Sequence, residues 1–366
     1  MYDDICNFKN LIAAYKEARK CKRFKVNIVD FGYYLESNLL RLQRELLDET
    51  YLPSPYVCFT VYDPKTRKVA APAFRDRVMQ HSLVSRIEPH FDSQFIYDSY
   101  ACRRDRGTHF GMARIKRFLQ AARSKYGKQT HIYCLRMDVK KFFASVSWDV
   151  LLTCVNKTIK CEKTRKLIEK IVTKYKFFNL KGKFIDPPPD VVVPEKRQGL
   201  PIGNLTSQLF ANIYLNQLDH FVKETLKIKW YARYMDDFLV IHPDKNYLRQ
   251  IRNDIKTFLE YELKLQLHPK KVIIHDVNQG IPFVGYRIFY DHVLIRGKTL
   301  VRMRKKLKLR KLMIEKGDDD FSIEACLCSI REHLNRADAF GLQNNLFNVL
   351  NQKTKIKHTE QLRLFQ

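Results

Sequence analysis

The 366 residues carry 67 Lys and Arg against 39 Asp and Glu, a formal charge of +28, and provide enough chain for two to three domains with a substantial core. Such an excess favours a polyanionic partner bound through counterion release, and no apolar run reaches the roughly 18 residues that a membrane span needs. The nine cysteines contain no C-x-x-C pair, and their odd number and the lack of a secretory signal argue against a disulfide framework and for a cytoplasmic protein.

In chain order, residues 2 to 49 space Leu35, Leu39, Leu40, Leu42 and Leu46 as an amphipathic helix does, beside a basic stretch from Lys16 to Lys25. Residues 51 to 77 set Pro53, Pro55, Pro64 and Pro72 among β-branched and aromatic residues, which predicts short strands joined by turns. Here Arg67 and Arg75 are candidates for phosphate contact, with pairing to Asp63 or Asp76 as the alternative. A helical pattern follows from Val78 to about Arg123, broken between Tyr97 and Gly107 by the basic loop around Arg103. Ile132 to Met137 is a short β-prone run ending at Asp138, and 149 to 177 is helical and basic. Asp186-Pro187-Pro188-Pro189-Asp190 can be neither helix nor central strand. Phe210, Ile213, Tyr214, Leu218 and Phe221 recur at helical spacing, with Thr206 or Ser207 able to cap the start. The basic run Arg302 to Lys311 covers more than one face of a helix and suits contact with a nucleic acid duplex.

The chemistry concentrates at Tyr234-Met235-Asp236-Asp237, between the apolar stretches Trp230 to Ala232 and Phe238 to Ile241. Two such stretches joined so briefly predict a tight hairpin with the acids at its tip. An isolated Asp-Asp pair is commonly a solvated turn. Adjacent carboxylates held between buried strands repel one another and call for a cation. Asp138, at the end of its own β-run, is the candidate third carboxylate, since neighbouring strands lie about 4.8 Å apart. Two metal ions about 4 Å apart would activate a hydroxyl and stabilise a leaving pyrophosphate, which is polymerase chemistry.

Asp138 with Phe143 five residues later, the Tyr-Met-Asp-Asp turn, and the segment Gln198 to Gln208 between them together resemble a reverse transcriptase over roughly residues 60 to 300. Ile202-Gly203, three further residues and Ser207-Gln208 look most like the enzymes of diversity-generating retroelements, a branch of the group II intron-like bacterial enzymes. Group II intron enzymes usually carry Pro-Gln-Gly-Gly, two residues and Ser-Pro there. The resemblance implies an α/β (α+β) right-hand polymerase fold with fingers, palm and a short helical thumb. It divides the chain into an N-terminal extension with fingers (1–130), a palm (131–285, with a fingers insertion at about 150–198) and a thumb (286–366).

By the same resemblance Asp138, Asp236 and Asp237 are catalytic and organise two Mg²⁺ ions, with the Val139 carbonyl as a further ligand and Mn²⁺ able to substitute. Asp138 and Asp236 are the direct ligands, and Asp237 adds charge and orientation. Phe143 matches a steric gate against the ribose 2′-hydroxyl, while Ile202 stands where the family at large has a Gln that contacts the nascent base pair. Arg67, Arg75 and Lys271 fall to the incoming triphosphate; Gln208, Gly285, Arg304 and Lys305 fall to primer and template. The implied partners are a template RNA, a DNA or RNA primer with its cDNA, dNTPs and a small basic accessory variability protein. Selective mutation at template adenines is a further implication. The alternatives are a retron, group II-like or phage-defence enzyme, or a non-polymerising RNA-binding maturase.

Overall fold

The computed structural model describes residues 1–62, 65–127, 129–316 and 321–347. Among the described residues the chain opens with helices α1 (Tyr2–Cys6), α2 (Phe8–Ala18), α3 (Val26–Tyr33) and α4 (Leu35–Leu47), followed by strands β1 (Tyr56–Val61) and β2 (Arg67–Ala71). Helices α5 (Phe74–Asp92) and α6 (Thr108–Tyr126) lead to β3 (Tyr133–Asp138), and then come α7 (Phe142–Ser145), α8 (Trp148–Thr158) and α9 (Glu162–Thr173). Short strands β4 (Phe177–Phe178) and β5 (Phe184–Ile185) precede α10 (Leu205–His220), β6 (Tyr231–Tyr234), β7 (Asp237–His242) and α11 (Lys245–Tyr261). The last elements are β8 (Ile273–Asp276), β9 (Ile281–Phe283), β10 (Tyr286–Ile288), β11 (Val293–Ile295), α12 (Gly297–Glu315) and α13 (Phe321–Asn335). Part of the region assigned to a thumb, residues 348–366, lies outside the described residues.

The strands pair as β2-β1-β4-β5, β6-β7-β3-β8 and β11-β10-β9. In the first of these sheets β4 runs parallel to β1, so strands from 177–185 extend the hairpin of 56–71. Two units are distinguished by their internal contacts: residues 1–107, 135–240 and 246–273, and residues 108–134, 241–245 and 274–366.

In the first unit, α5 buries Phe74, Val78, Met79, Leu83, Ile87 and Phe91, and packs against α2 and α10. Helix α10 is buried on several sides, with Phe210, Ala211, Tyr214, Leu215 and Leu218 all enclosed, which makes it the spine on which the surrounding elements rest. Helix α11 keeps a one-sided pattern, Leu248, Ile251, Ile255 and Leu259. The N-terminal leucines divide as an amphipathic helix requires: Leu39, Leu42 and Leu46 are buried and Leu40 faces water.

Strand β3 ends at Asp138, where its β-prone run ends; beyond it Lys141 takes a left-handed backbone conformation (φ 46°), and Phe142–Ser145 is a helical turn. One local expectation is corrected. The cap of α10 is neither Thr206 nor Ser207, which lie within the helix; Asn204 is the cap residue, and the Leu205 N–H donates to Gln80 Oε1 at 3.2 Å.

In the second unit, α12 and α13 pack through Met303, Leu307, Ile330 and Leu334, joined by Ala339 and Phe347. Lys298, Arg302, Arg304, Lys305, Lys306 and Lys308 of α12 are exposed, while Arg310 and Lys311 are partly covered. Among the described residues, no helix is long and apolar enough to cross a membrane.

Candidate active site

Strands β6 and β7 form the hairpin that the flanking apolar runs imply, with Tyr234 opposite Asp237 and only Met235 and Asp236 in the turn. Met235 takes the positive φ, 55°, that the first turn residue of a II′-like hairpin requires. Left-handed backbone costs a non-glycine residue about 1–2 kcal/mol, so something must hold the turn.

That support comes from Arg233, which is 0% exposed, as is its partner Asp219 on α10. The Arg233 guanidinium donates to Asp219 at 2.6 to 3.0 Å, to Asn212 Oδ1 at 3.1 Å, to Ser99 Oγ at 3.0 Å and to the Met235 carbonyl at 3.2 Å. Tyr231 Oη adds a bond to Asp219 at 2.7 Å. Burial opposes the arginine's charge, but the Asp219 carboxylate outweighs it and raises the guanidinium pKa. The acidic turn is thus anchored to α10 and, through Ser99, to the Tyr97–Gly107 loop. Arg103 of that loop is occupied internally, by Asp92 at 2.6 Å and the carbonyls of Ile96 and Ser99 at 2.8 and 2.9 Å, instead of facing outward as a phosphate contact. An arginine inside an otherwise apolar strand was the sequence signal for this anchor, since a charge there must be paired.

Strand β3 lies beside β7, and the Val139 N–H donates to the Asp236 carbonyl at 3.3 Å. Burial first, and the negative charge of Asp138 second, push the Asp236 carboxyl up to about 6. Asp138 itself accepts from Lys271 Nζ at 2.7 Å. Asp237 is engaged in a two-pronged pair with Arg136, whose Nε donates at 2.9 Å. Among the described residues, no three His, Cys, Asp or Glu side chains gather closely enough to hold an ion unaided, in keeping with Asp237 being turned to Arg136. Two mutually repelling carboxylates, with an ammonium already drawn to one of them, fit a hard divalent cation. Asp138, Asp236 and the Val139 carbonyl are the groups that would hold it.

Other predicted residues also lie in the first unit. Phe142 is buried against Tyr214, while Phe143 is half-exposed and its carbonyl accepts from the Leu200 N–H at 2.7 Å. Ile202 is also half-exposed, its carbonyl bonded to the Ala70 N–H at 3.0 Å. Gly203 allows that approach, because a Cβ there would meet the Ala70 carbonyl oxygen at 2.9 Å. Gln208 is exposed on the first turns of α10. Arg67 is exposed on β2, and Asp63, its suggested partner, lies outside the described residues. Arg75 pairs with Glu45 and stacks over Tyr51, whereas Asp76 accepts from Tyr51 Oη and the Ser54 N–H. Arg75 therefore has a structural partner that spacing alone did not reveal.

Gly285, Arg304 and Lys305 belong to the second unit. Val284 and Gly285 form a two-residue turn between β9 and β10, both with positive φ (42° and 97°). A Cβ on Gly285 would stand 3.0 Å from the His333 ring, which stacks on Tyr286. Arg304 and Lys305 are exposed on α12.

Residues 62–288 match the family model described as reverse transcriptase (RNA-dependent DNA polymerase), a span that includes every predicted site residue except Arg304 and Lys305. Protein YkfC of Escherichia coli strain K12 is 28% identical over 283 residues, 68% of this chain and 70% of YkfC. Group II intron-encoded protein LtrA of Lactococcus lactis subsp. cremoris is 23% identical over 344 residues, 76% of this chain, which spans only 53% of LtrA. Among solved structures, apo telomerase from Candida tropicalis gives a TM-score of 0.52 at 13% identity, covering 81% of this chain and 58% of that one. Telomerase from Candida albicans, solved with a fragment of telomeric RNA, gives 0.51 at 12% identity, covering 87% and 59%. The shared feature at these identities is the right-hand polymerase fold, mixed helix and sheet.

Asp219→Asn should destabilise the protein by about 3–5 kcal/mol in urea unfolding, because it leaves the Arg233 charge buried without its counterion. The pH dependence of Asp236 has a defined sign. Its folded pKa, about 6, lies above the unfolded value, so its favourable contribution exists only at low pH and is lost as pH rises through 6. Without metal, Asp236→Asn should be more stable than wild type by about 3 kcal/mol at pH 8, with the gap closing towards pH 4. Thermal melts in EDTA across that range measure it.

Proposed function

Since the chain belongs to the reverse transcriptase family of RNA-dependent DNA polymerases, we propose that it copies a template RNA into cDNA at the Asp138–Asp236 pair. The observation that carries this reading is the hairpin that sets Asp236 beside Asp138, where a cation is required and Lys271 already supplies one positive charge. Asp138, Asp236 and the Val139 carbonyl would hold two Mg²⁺ ions, with Mn²⁺ able to substitute, and bound there the ions would supply activation of the attacking hydroxyl and neutralisation of the leaving group. The primer 3′-oxygen forms a bond to the α-phosphorus of a dNTP, and the bond from that phosphorus to the bridging oxygen breaks, releasing pyrophosphate. Asp237, clamped by Arg136, contributes charge and orientation. Lys271 and Arg67 face the triphosphate in this reading, and Gln208, Gly285, Arg304 and Lys305 face primer and template.

The half-exposed ring of Phe143 fills the space of a ribose 2′-hydroxyl and so selects deoxynucleotides. Ile202 replaces a hydrogen-bonding group with an aliphatic one, and apolar contacts separate similar shapes by only about 1–3 kcal/mol. With Ser207 and Gln208, that substitution supports an error-prone enzyme of a diversity-generating retroelement, mutating at template adenines with a small basic accessory protein in the cytoplasm. A group II-like enzyme is the second reading, supported by the likeness to LtrA.

Primer extension on an RNA template with Mg²⁺ tests the activity. Asp236→Asn should lose at least about three orders of magnitude in rate, the scale of a lost preorganised charge at a transition state; full extension would refute the assignment. Phe143→Ala should raise ribonucleotide incorporation at least tenfold relative to deoxynucleotide, and an unchanged ratio removes the gate. Ile202→Gln should lower misincorporation opposite template adenine; identical error spectra would remove the mutagenic reading and leave polymerisation standing.

A further inference from the structure

The first unit contains a cavity of about 430 Å³ lined by Lys140, Lys141, Lys196, Lys264, Gln198, Gln266 and Ser145. Each of these side chains offers a hydrogen-bond donor, and none is a carboxylate. Lys141 has an acid within reach, Asp190 at 3.0 Å, in a pair that is largely exposed. Among the described residues, no ion pair joins Lys140, Lys196 or Lys264 to a carboxylate. Ammonium groups gathered round one concavity repel one another, and a compact anion relieves that repulsion.

The backbone turns sharply beside the cavity, where Lys141, Arg197 and Lys264 take left-handed conformations at helix ends, with φ of 46°, 49° and 51°. Arg197 is turned aside to Asp149 at 2.9 Å, with its flanking residues Lys196 and Gln198 on the cavity wall. The wall is also fixed to the catalytic strand: the Lys140 N–H donates to the Gln266 carbonyl, and the His268 N–H to the Asp138 carbonyl, both at 2.8 Å. Lys140 is two residues from Asp138, so their Cα atoms are at most about 7 Å apart.

We propose that this cavity binds inorganic pyrophosphate, the product of nucleotide addition, and holds it as it leaves the carboxylate centre. The proposal deepens the polymerase reading and rests on it for the source of the ligand. A nucleic acid backbone is the less suitable occupant, because backbone-tracking sites are extended grooves, whereas these residues come from separate chain segments to line one concavity.

The test is titration of the full chain with pyrophosphate in EDTA, followed by calorimetry. Without divalent ions, Asp138 and Asp236 repel the ligand, so binding reports the cavity alone. We expect one pyrophosphate per chain. Lys196→Gln with Lys264→Gln should weaken binding at least tenfold, while the exposed pair Lys166→Gln with Lys256→Gln should not, and circular dichroism should verify that both variants are folded. No binding, or equal binding by the two double variants, overturns the proposal. Weakened binding of a short RNA with unchanged pyrophosphate binding also overturns it, in favour of a backbone contact. Failure of primer extension with pyrophosphate binding intact would instead sink the polymerase reading.

Discussion

Everything at the candidate centre depends on a guanidinium that has no contact with water. Arg233 ties the Met235 carbonyl to Asp219, so the strained turn is held by a helix buried on several sides. A surface ion pair could not do this, because solvent screening leaves it worth about 1 kcal/mol or less. In the interior the cost of losing either partner is several times larger, and the turn inherits that rigidity. Placement of Asp236 against Asp138 is therefore a property of α10 and β6 together, and not of the turn sequence alone.

The local charges follow from that placement. Burial and Asp138 raise the Asp236 pKa, Lys271 answers Asp138, and Arg136 engages Asp237. The three acids consequently differ in character despite their common residue type. Asp237 is already satisfied by a bidentate arginine, whereas Asp138, at the end of β3, and Asp236, in the turn, are close enough for the charge of one to act on the other. Such a separation of roles suits a centre in which two carboxylates receive cations and the third keeps the hairpin in register.

Much of this was legible in the sequence where local rules govern. The acidic hairpin followed from apolar runs on either side of a two-residue connection, and Asp138 from the β-prone run it closes. The proline-rich segments at 51–77 and 186–190 announced their turns because proline removes a backbone donor. What escaped notice was set by distant partners. Asp219 lies on another element from Arg233, Glu45 is far along the chain from Arg75, and Gln80 supplies the donor's partner at the start of α10. The helical turn at Phe142–Ser145 follows a left-handed Lys141, a backbone choice that no local pattern announced.

The central claim is that the hairpin and the end of β3 form one cation centre. Iron-directed backbone cleavage tests it most directly: Fe²⁺ is exchanged into the protein with template, primer and dNTP, hydrogen peroxide then yields hydroxyl radicals at the bound ion, and ascorbate returns the iron to Fe²⁺. Cuts should cluster around Asp138 and around Met235 to Asp237, disappear with excess Mg²⁺, and be lost in Asp236→Asn. Cuts spread along the chain, or centred elsewhere and indifferent to Mg²⁺, would contradict the account.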